Sequence, residues 1–185
     1  MSYDLNTNKI TKFSNKKLFL IDSSAFGKIE ELWKITGTNL LLLMEQSQKV
    51  HFFLSNEVCV ELMKGPRELD CKFLIDHIIN VEGSGSYDLK ENKFIIEENG
   101  QTKYIVLNKI SWQDYNQVIL CQNHPELILV SNDRKLLKSA GFVIKDRVIG
   151  INALFDEMIK LEPGYKEYRS LKSKALEIFE LKSIK

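Results

Sequence analysis

The chain has 185 residues, a formal net charge of +1 and 44% hydrophobic residues. This length suits one domain with a real core, and the near-neutral charge excludes a polycation that coats nucleic acid indiscriminately. Three cysteines, Cys59, Cys71 and Cys121, lie in apolar surroundings and indicate reduced thiols in a cytoplasmic protein. The polar N-terminus carries no signal segment, and the longest apolar run, at residues 40–44, is too short to span a membrane.

The first half of the chain alternates between strand and helix patterns. The pattern predicts a strand at 18–21, helices over 23–33 and 39–48, a strand at 50–54, a helix from Ser55 to the Gly65-Pro66 break, and a helix over 68–80. After the GSGS segment at 83–86, two β-rich runs around Asn99-Gly100 predict a β-hairpin insertion over 87–108.

The second half continues the alternation. The pattern predicts a helix over 111–122, a strand at 127–130, a helix over 133–140 that stops at Gly141, a strand at 142–145, and helices over 151–161 and 165–182. Together the elements predict a three-layer α/β/α fold with a central, mostly parallel sheet. We expect one domain over 1–162, with residues 163–185 as a C-terminal helical extension.

Four acidic residues mark the expected binding site. Asp22 and Asp133 follow predicted strands, Asp114 begins a predicted helix, and Glu61 lies on the short helix after the second strand. Carboxylates at the carboxyl ends of parallel strands can converge in one crevice, where they need a counter-cation such as Mg²⁺ or Mn²⁺. Helix capping also explains the three aspartates singly, because Asp is a favoured N-cap and Ser111 lies at capping-box spacing from Asp114.

Two details favour a charged ligand. Glu57 and Glu61 lie four residues apart on one helix, where like charges cost roughly a few tenths of a kcal/mol; a cation near Glu61 would offset that cost. Arg134 and Lys135 lie in the first turn of a helix, where the macrodipole disfavours positive charge unless it faces a phosphate. Solvated side chains held by other contacts also explain both details.

The order of these motifs resembles that of the PIN-domain nucleases. Members typically show an apolar strand ending in Asp, a helix carrying Glu, an Asp that opens a helix, and a strand ending in a Thr/Ser-x-Asp triplet. The matching segments here are LFLIDSSAF, NEVCVELMKG, ISWQDYNQVILC and LILVSNDRKLLKSAG. The hairpin insertion and the C-terminal helix depart from the compact toxin-type members, and the zinc ribbon of members that process ribosomal RNA is missing.

The resemblance implies a Mg²⁺- or Mn²⁺-dependent endoribonuclease that hydrolyses RNA phosphodiester bonds. Its catalytic residues would be Asp22, Glu61, Asp114 and Asp133, with Asp22, Asp114 and Asp133 as metal ligands and Glu61 orienting the attacking water. The supporting residues would be Ser131, Asn132 and Ser24. The RNA, single-stranded or structured, would be positioned by Lys64, Arg67, Arg134, Lys135 and Lys138. The family commonly pairs, so a homodimer is expected, with no membrane partner.

Three other interpretations remain open from the sequence. The protein could be the toxin of a toxin–antitoxin pair with the same chemistry, held silent by a protein partner. It could be a catalytically degenerate PIN-like scaffold that binds RNA or assembles with other proteins. It could also be a phosphotransfer domain with an Asp nucleophile, but such domains usually have a second Asp two positions later, where this chain has Ser24, so the match is poor.

The histidines, His51, His77 and His124, are widely separated along the chain, so core or surface roles are expected for them.

Overall fold

The computed structural model describes residues 5–64, 71–80, 87–88, 93–98, 101–106 and 110–181. The helices are α1 (Leu5–Lys12), α2 (Ser23–Thr36), α3 (Leu40–Gln46), α4 (Asn56–Met63), α5 (Cys71–Asp76), α6 (Trp112–Asn123), α7 (Arg134–Ile144), α8 (Ile151–Leu161) and α9 (Lys166–Leu181). The strands are β1 (Lys17–Ile21), β2 (Val50–Ser55), β3 (Ile78–Ile79), β4 (Tyr87–Asp88), β5 (Lys93–Glu98), β6 (Gln101–Val106), β7 (Leu127–Val130) and β8 (Val148–Ile149). A 3₁₀ turn, Lys145–Arg147, connects α7 to β8.

A five-stranded parallel sheet forms the centre of the protein, in the order β3-β2-β1-β7-β8. The chain builds outward from β1 to β2 and β3, and then returns to the other side of β1 to add β7 and β8. The strand order therefore reverses between β1 and β7. In open α/β sheets such a switch point leaves a crevice outside the carboxyl ends of the two strands, where ligands bind.

Helices cover both faces of this sheet, which confirms the predicted three-layer α/β/α architecture. Alternate residues of β1 point to opposite faces, as the two-residue period of a strand requires. Phe19 and Ile21 join an apolar cluster with α2, α3, α4, α8 and α9. Leu18 and Leu20 join a second cluster with α1, α6 and α7. Since β1 is buried on both faces, its continuous apolar sequence is typical of a central parallel strand.

The hairpin prediction agrees with the described strands of the insertion. Strands β5 and β6 are antiparallel, with Glu98 opposite Gln101, and β4 pairs with β5. These three strands form a sheet of their own.

One predicted helix, over 68–80, was wrong at its C-terminal end. The described part contains α5 and then β3, in which Ile78 and Ile79 pair in parallel with Leu54 and Ser55 of β2. The apolar periodicity of this segment is helical, but the open edge of β2 offers backbone hydrogen bonds that an added strand can use. Tertiary pairing therefore overrides the local pattern.

The end of the helix that follows β7 and the position of the next strand were also predicted wrongly. Helix α7 continues through Gly141 to Ile144, and the strand that follows is Val148–Ile149 instead of 142–145. The helix continues because Leu136, Ala140 and Ile144 form one buried stripe at four-residue spacing. Helix α1 was not predicted, and it buries Ile10 in the same cluster.

The C-terminal helix α9 packs on the domain. Its buried residues, Tyr168, Leu171 and Ala175, belong to the same apolar cluster as Leu154 and Phe155 of α8. Within the described residues, no helix combines the length and the apolar character needed to cross a membrane.

Candidate functional site

Asp22 lies at the switch point of the sheet, directly after β1. Its backbone N–H donates to the carbonyl of Val130 at the end of β7, with a distance of 2.9 Å, so the ends of the two strands are joined at this residue. Asp22 is also the N-cap of α2 and is only 2% exposed. A buried carboxylate is unfavourable unless its oxygens are hydrogen-bonded or paired with a cation.

Several donors from three elements surround the Asp22 carboxylate. Ser131 Oγ donates to Oδ2 at 2.8 Å, the backbone N–H of Ser24 donates to Oδ2 at 3.2 Å, and the Ser24 hydroxyl also donates to Oδ2. Oδ1 accepts from Gln117 Nε2 at 3.1 Å and lies 3.5 Å from Ser23 Oγ. These contacts fix the orientation of the carboxylate and leave Oδ1 as its less crowded oxygen.

The segment after β7 is tied to the same site. Ser131 Oγ accepts from the backbone N–H of Asp133 at 3.0 Å, and Ser24 Oγ accepts from the backbone N–H of Asn132 at 2.9 Å. Asp133 is the N-cap of α7, and its Oδ1 accepts from the backbone N–H groups of Lys135 and Leu136. The two serine hydroxyls therefore connect the ends of β1 and β7.

Asp114 forms the third acidic position of the site. It lies in the first turn of α6 and makes the expected capping box with Ser111. The pKa of Asp114 is raised as a whole. Burial is the largest cause, hydrogen bonds from Ser111 oppose it, and the charges of Asp22 and Asp133 add to it. The charges of Asp22 and Asp133 therefore both reach Asp114, and like charges near a carboxyl group disfavour its ionised form.

Two contacts from α6 were not predicted from the sequence. Gln117, which is 1% exposed, donates to Asp22 as described above, and Asn116 Nδ2 donates to Glu57 Oε1 at 2.9 Å. Glu57 is therefore the α4 carboxylate that accepts a hydrogen bond from α6. The sequence had drawn attention to Glu57 only as the like-charged neighbour of Glu61. An amide side chain carries no local pattern that predicts such a contact.

Glu61 lies further along α4 and is exposed. It lines a cavity of about 330 Å³ between α4 and the start of α6, together with Asn56, Glu57, Val60, Lys64 and Gln113. Gln113, the lining residue from α6, directly precedes Asp114 in the sequence. The role of Glu61 in orienting water stays a prediction.

The basic side chains assigned to RNA lie at two places. Lys64 ends α4 and lines the cavity with Glu61. Arg134, Lys135 and Lys138 are exposed on the first two turns of α7, next to Asp133. Arg67 lies outside the described residues. Of the described cations, Lys64 therefore lies near Glu61, and the other three follow Asp133 on α7.

The residues around Asp22 fit a hard divalent ion by their chemistry. They offer carboxylate, hydroxyl and amide oxygens, which Mg²⁺ and Mn²⁺ prefer. In the described part of the chain, Gln117 Oε1 and Glu57 Oε2 are buried and have no hydrogen-bond partner. A buried acceptor without a donor is costly, and an ion with its bound waters could provide that donor.

Comparisons with known proteins give no relative for this chain, since no family model, no curated protein and no solved structure matches it. Its function is therefore inferred from its own residues.

Proposed function

We propose that this protein is a divalent-metal-dependent ribonuclease whose centre is the acidic crevice at the ends of β1 and β7. The observation that carries the proposal is the buried, fully oriented Asp22 carboxylate at the switch point. The charges of Asp22 and Asp133 both act on Asp114, so the crevice favours a bound cation.

The site residues have distinct roles in this proposal. A divalent ion held by Asp22, Asp114 and Asp133 would generate a hydroxide-like nucleophile and stabilise the leaving oxygen of the phosphodiester. Ser131, Ser24 and Gln117 hold the Asp22 carboxylate in one orientation, and Asn132 is tied to it through Ser24. Glu61 or Glu57, both on α4, would orient the attacking water, since both line the cavity between α4 and the start of α6.

Phosphate groups are favoured near the acidic crevice by two features. Helices α2 and α7 begin at Asp22 and Asp133, and helix N-termini carry partial positive charge that attracts phosphate. The exposed Arg134 and Lys135 add full positive charges in the first turn of α7. An RNA strand is the substrate that the proposal favours, because a flexible single strand can enter a narrow crevice.

The test is cleavage of a panel of mixed-sequence single-stranded RNAs in the presence of Mn²⁺, with EDTA as the metal-free control. We expect Asp22→Asn to reduce the cleavage rate by about two orders of magnitude or more. Asp146→Asn is the matched control, because Asp146 is an exposed aspartate on the 3₁₀ turn and its substitution should leave the rate unchanged. Equal cleavage by wild type and a folded Asp22→Asn protein would refute the proposed centre.

A scaffold without catalysis is the second candidate, and one observation favours it. Both oxygens of Asp22 already accept hydrogen bonds from protein donors, so the carboxylate can act as a structural clamp between β1, α2, α6 and β7. A clamp needs no ion. Thermal unfolding with and without Mn²⁺ separates the candidates, since a ligand that binds only the native state raises the melting temperature. A melting temperature that does not change when Mn²⁺ is added, together with no cleavage, would favour the scaffold.

A further inference from the structure

A second cluster of ionisable residues lies away from the acidic crevice, beside the outer edge of β2. Glu45, His51 and His77 each offer one ligand atom, and these atoms all lie within 4.8 Å of one another. Glu45 is in the last turn of α3, His51 is the second residue of β2, and His77 directly precedes β3. The three residues meet because β3 pairs with β2 only at Leu54 and Ser55, which leaves the edge beside His51 open to side chains.

Both imidazole rings are held in place by aromatic neighbours. His51 stacks on Phe13 with a centroid distance of 3.7 Å, and His77 stacks on Phe52 with a centroid distance of 4.2 Å and an interplanar angle of 2°. The two imidazole centroids are 5.4 Å apart. Their orientation is therefore set by packing, as a preorganised metal site requires.

The hydrogen bonds of His77 leave its Nε2 directed at Glu45. His77 Nδ1 lies 2.7 Å from the carbonyl oxygen of Phe73, and because a carbonyl can only accept, Nδ1 must carry a proton. An Nδ1–H bonded to a backbone carbonyl is the arrangement that orients metal-binding histidines through Nε2. His77 Nε2 lies 2.6 Å from Glu45 Oε2, a contact that needs a proton or a cation between the two atoms.

His51 completes the set. Its Nδ1 lies 3.9 Å from the same Oε2 atom of Glu45, and its side chain is only 6% exposed, so the packing around the ring fixes its position. Glu45 is the adjustable member, because 45% of its side chain is exposed and it can move to meet a metal held by the two rigid rings.

We propose that Glu45, His51 and His77 form a binding site for Zn²⁺ or a similar transition-metal ion. Two imidazole nitrogens and one carboxylate are ligands that suit Zn²⁺, Co²⁺, Ni²⁺ and Cu²⁺, whereas Mg²⁺ prefers oxygen. Three protein ligands would leave a fourth coordination position open, and the three residues line a cavity of about 220 Å³.

Other charged groups face this cavity and modulate the site. Lys9, Lys12 and Asp76 line it with the three ligands, and the charge of Lys16 also reaches Glu45 and His51. The lysines outnumber the additional acid, so they weaken the binding of a cation and favour an anion, such as hydroxide or a carboxylate, at the fourth position. Because the metal must replace the proton between His77 and Glu45, its affinity should rise with pH.

Calorimetric titration of the full chain with ZnCl₂ and, separately, with MgCl₂ tests the proposal. At this cluster we expect one bound Zn²⁺ and no binding of Mg²⁺. His77→Gln, His51→Gln and Glu45→Gln should each weaken the Zn²⁺ affinity by about tenfold or more. Asp22→Asn should leave it unchanged, which separates this site from the acidic crevice. His124→Gln is the matched control for loss of a histidine elsewhere.

Because Glu45 is exposed, its substitution is the variant that is expected to fold even if the histidine variants do not. Removing its charge leaves the two packed rings in place, so Glu45→Gln should still unfold cooperatively in urea while losing Zn²⁺ affinity. The visible absorption bands of Co²⁺ provide an independent readout of a tetrahedral nitrogen and oxygen environment. No Zn²⁺ binding to wild type, or binding that all three substitutions leave unchanged, would overturn the proposal.

Discussion

Ser131 joins two of the acidic positions through a single buried hydroxyl. Its Oγ donates to the Asp22 carboxylate and accepts from the backbone N–H of Asp133. The same oxygen atom thereby provides a hydrogen-bond donor for the buried Asp22 carboxylate and an acceptor for a backbone N–H at the start of α7. The sequence predicted a supporting hydroxyl here from the Ser-x-Asp triplet, whereas Gln117, the other buried donor to Asp22 outside its own loop, had no such signal.

We expect Ser131→Ala to lower the free energy of unfolding by about 1–3 kcal/mol, because it removes both hydrogen bonds and leaves Asp22 Oδ2 with fewer donors. Urea unfolding followed by circular dichroism measures the change. Ser131→Thr keeps the hydroxyl and is the control. If Ser131→Ala were as stable as wild type, this hydroxyl would not be holding the carboxylate.

His51 gives the protein a pH dependence with a definite sign. Its pKa is lowered from 6.5 to about 4 by burial and by His77. Between these two pH values His51 is therefore protonated in the unfolded chain and neutral in the native protein. The free energy of unfolding should therefore fall as the pH decreases from about 6.5 to about 4, by up to about 3 kcal/mol. The pKa of Glu45 is lowered as well, and its loss of charge acts in the same direction at the acidic end.

His51→Phe keeps a ring beside Phe13 and Phe53 but removes the titrating group. We expect its free energy of unfolding to change less than that of wild type between pH values of about 6.5 and 4. Parallel urea titrations over this range, extended above pH 7 where both proteins should show the same slope, provide the measurement. An identical acid dependence in both proteins would show that His51 does not carry the effect.

At the scale of elements, the N-termini of helices were predicted best where the sequence has a polar capping residue. Ser55, Ser111 and Asp133 are all observed N-caps, because an N-cap depends on residues within one turn. Gly141, by contrast, was predicted to stop α7 but lies within it. A glycine can end a helix or be tolerated inside one, and the buried stripe that extends to Ile144 decides between the two outcomes.

Helix α2 offers a matched pair of glycine substitutions. Gly37 is its C-cap with a φ of 74°, in the left-handed region that disfavours side chains, so Gly37→Ala should destabilise the protein by about 1 kcal/mol. Gly27 lies inside the same helix, and a Cβ added there has no neighbour within 4 Å, so Gly27→Ala should stabilise it by up to about 1 kcal/mol.

The midpoints of urea unfolding for the two alanine variants measure these effects against wild type. The expected signs are opposite. A stabilising Gly37→Ala would show that the left-handed conformation at the end of α2 is not needed.

At the scale of the whole molecule, α9 is a part of the core. The sequence suggested a C-terminal helix that packs on the domain or on a second subunit, and the described structure packs its apolar face on α8 and α2. Tyr168 also donates a hydrogen bond from its hydroxyl to Glu162 Oε2 at 3.0 Å. We therefore expect the stability of the sheet to depend on α9, although this helix lies far from β1 in sequence.

We expect Leu171→Ala to lower the free energy of unfolding by about 2–5 kcal/mol, since Leu171 is buried in the main apolar cluster and the substitution leaves a cavity. Ser173→Ala, an exposed substitution on the same helix, should change it by less than about 0.5 kcal/mol. Thermal and urea unfolding give both values. A small effect of Leu171→Ala would mean that α9 is a detachable extension.

The sequence by itself determined the elements whose signals are local. Continuous apolar runs predicted β1, β2 and β7, the pattern over 151–161 predicted α8, and the acidic residues at strand and helix ends indicated where a crevice would form. Only the tertiary structure decided which distant residues meet: β3 adds to the open edge of β2, Gln117 reaches Asp22, and Glu45 joins two histidines 26 positions apart in the numbering of the chain. The physical reason is that strand order and helix docking set these contacts through long-range packing and hydrogen bonds, which leave no periodicity or spacing in the sequence.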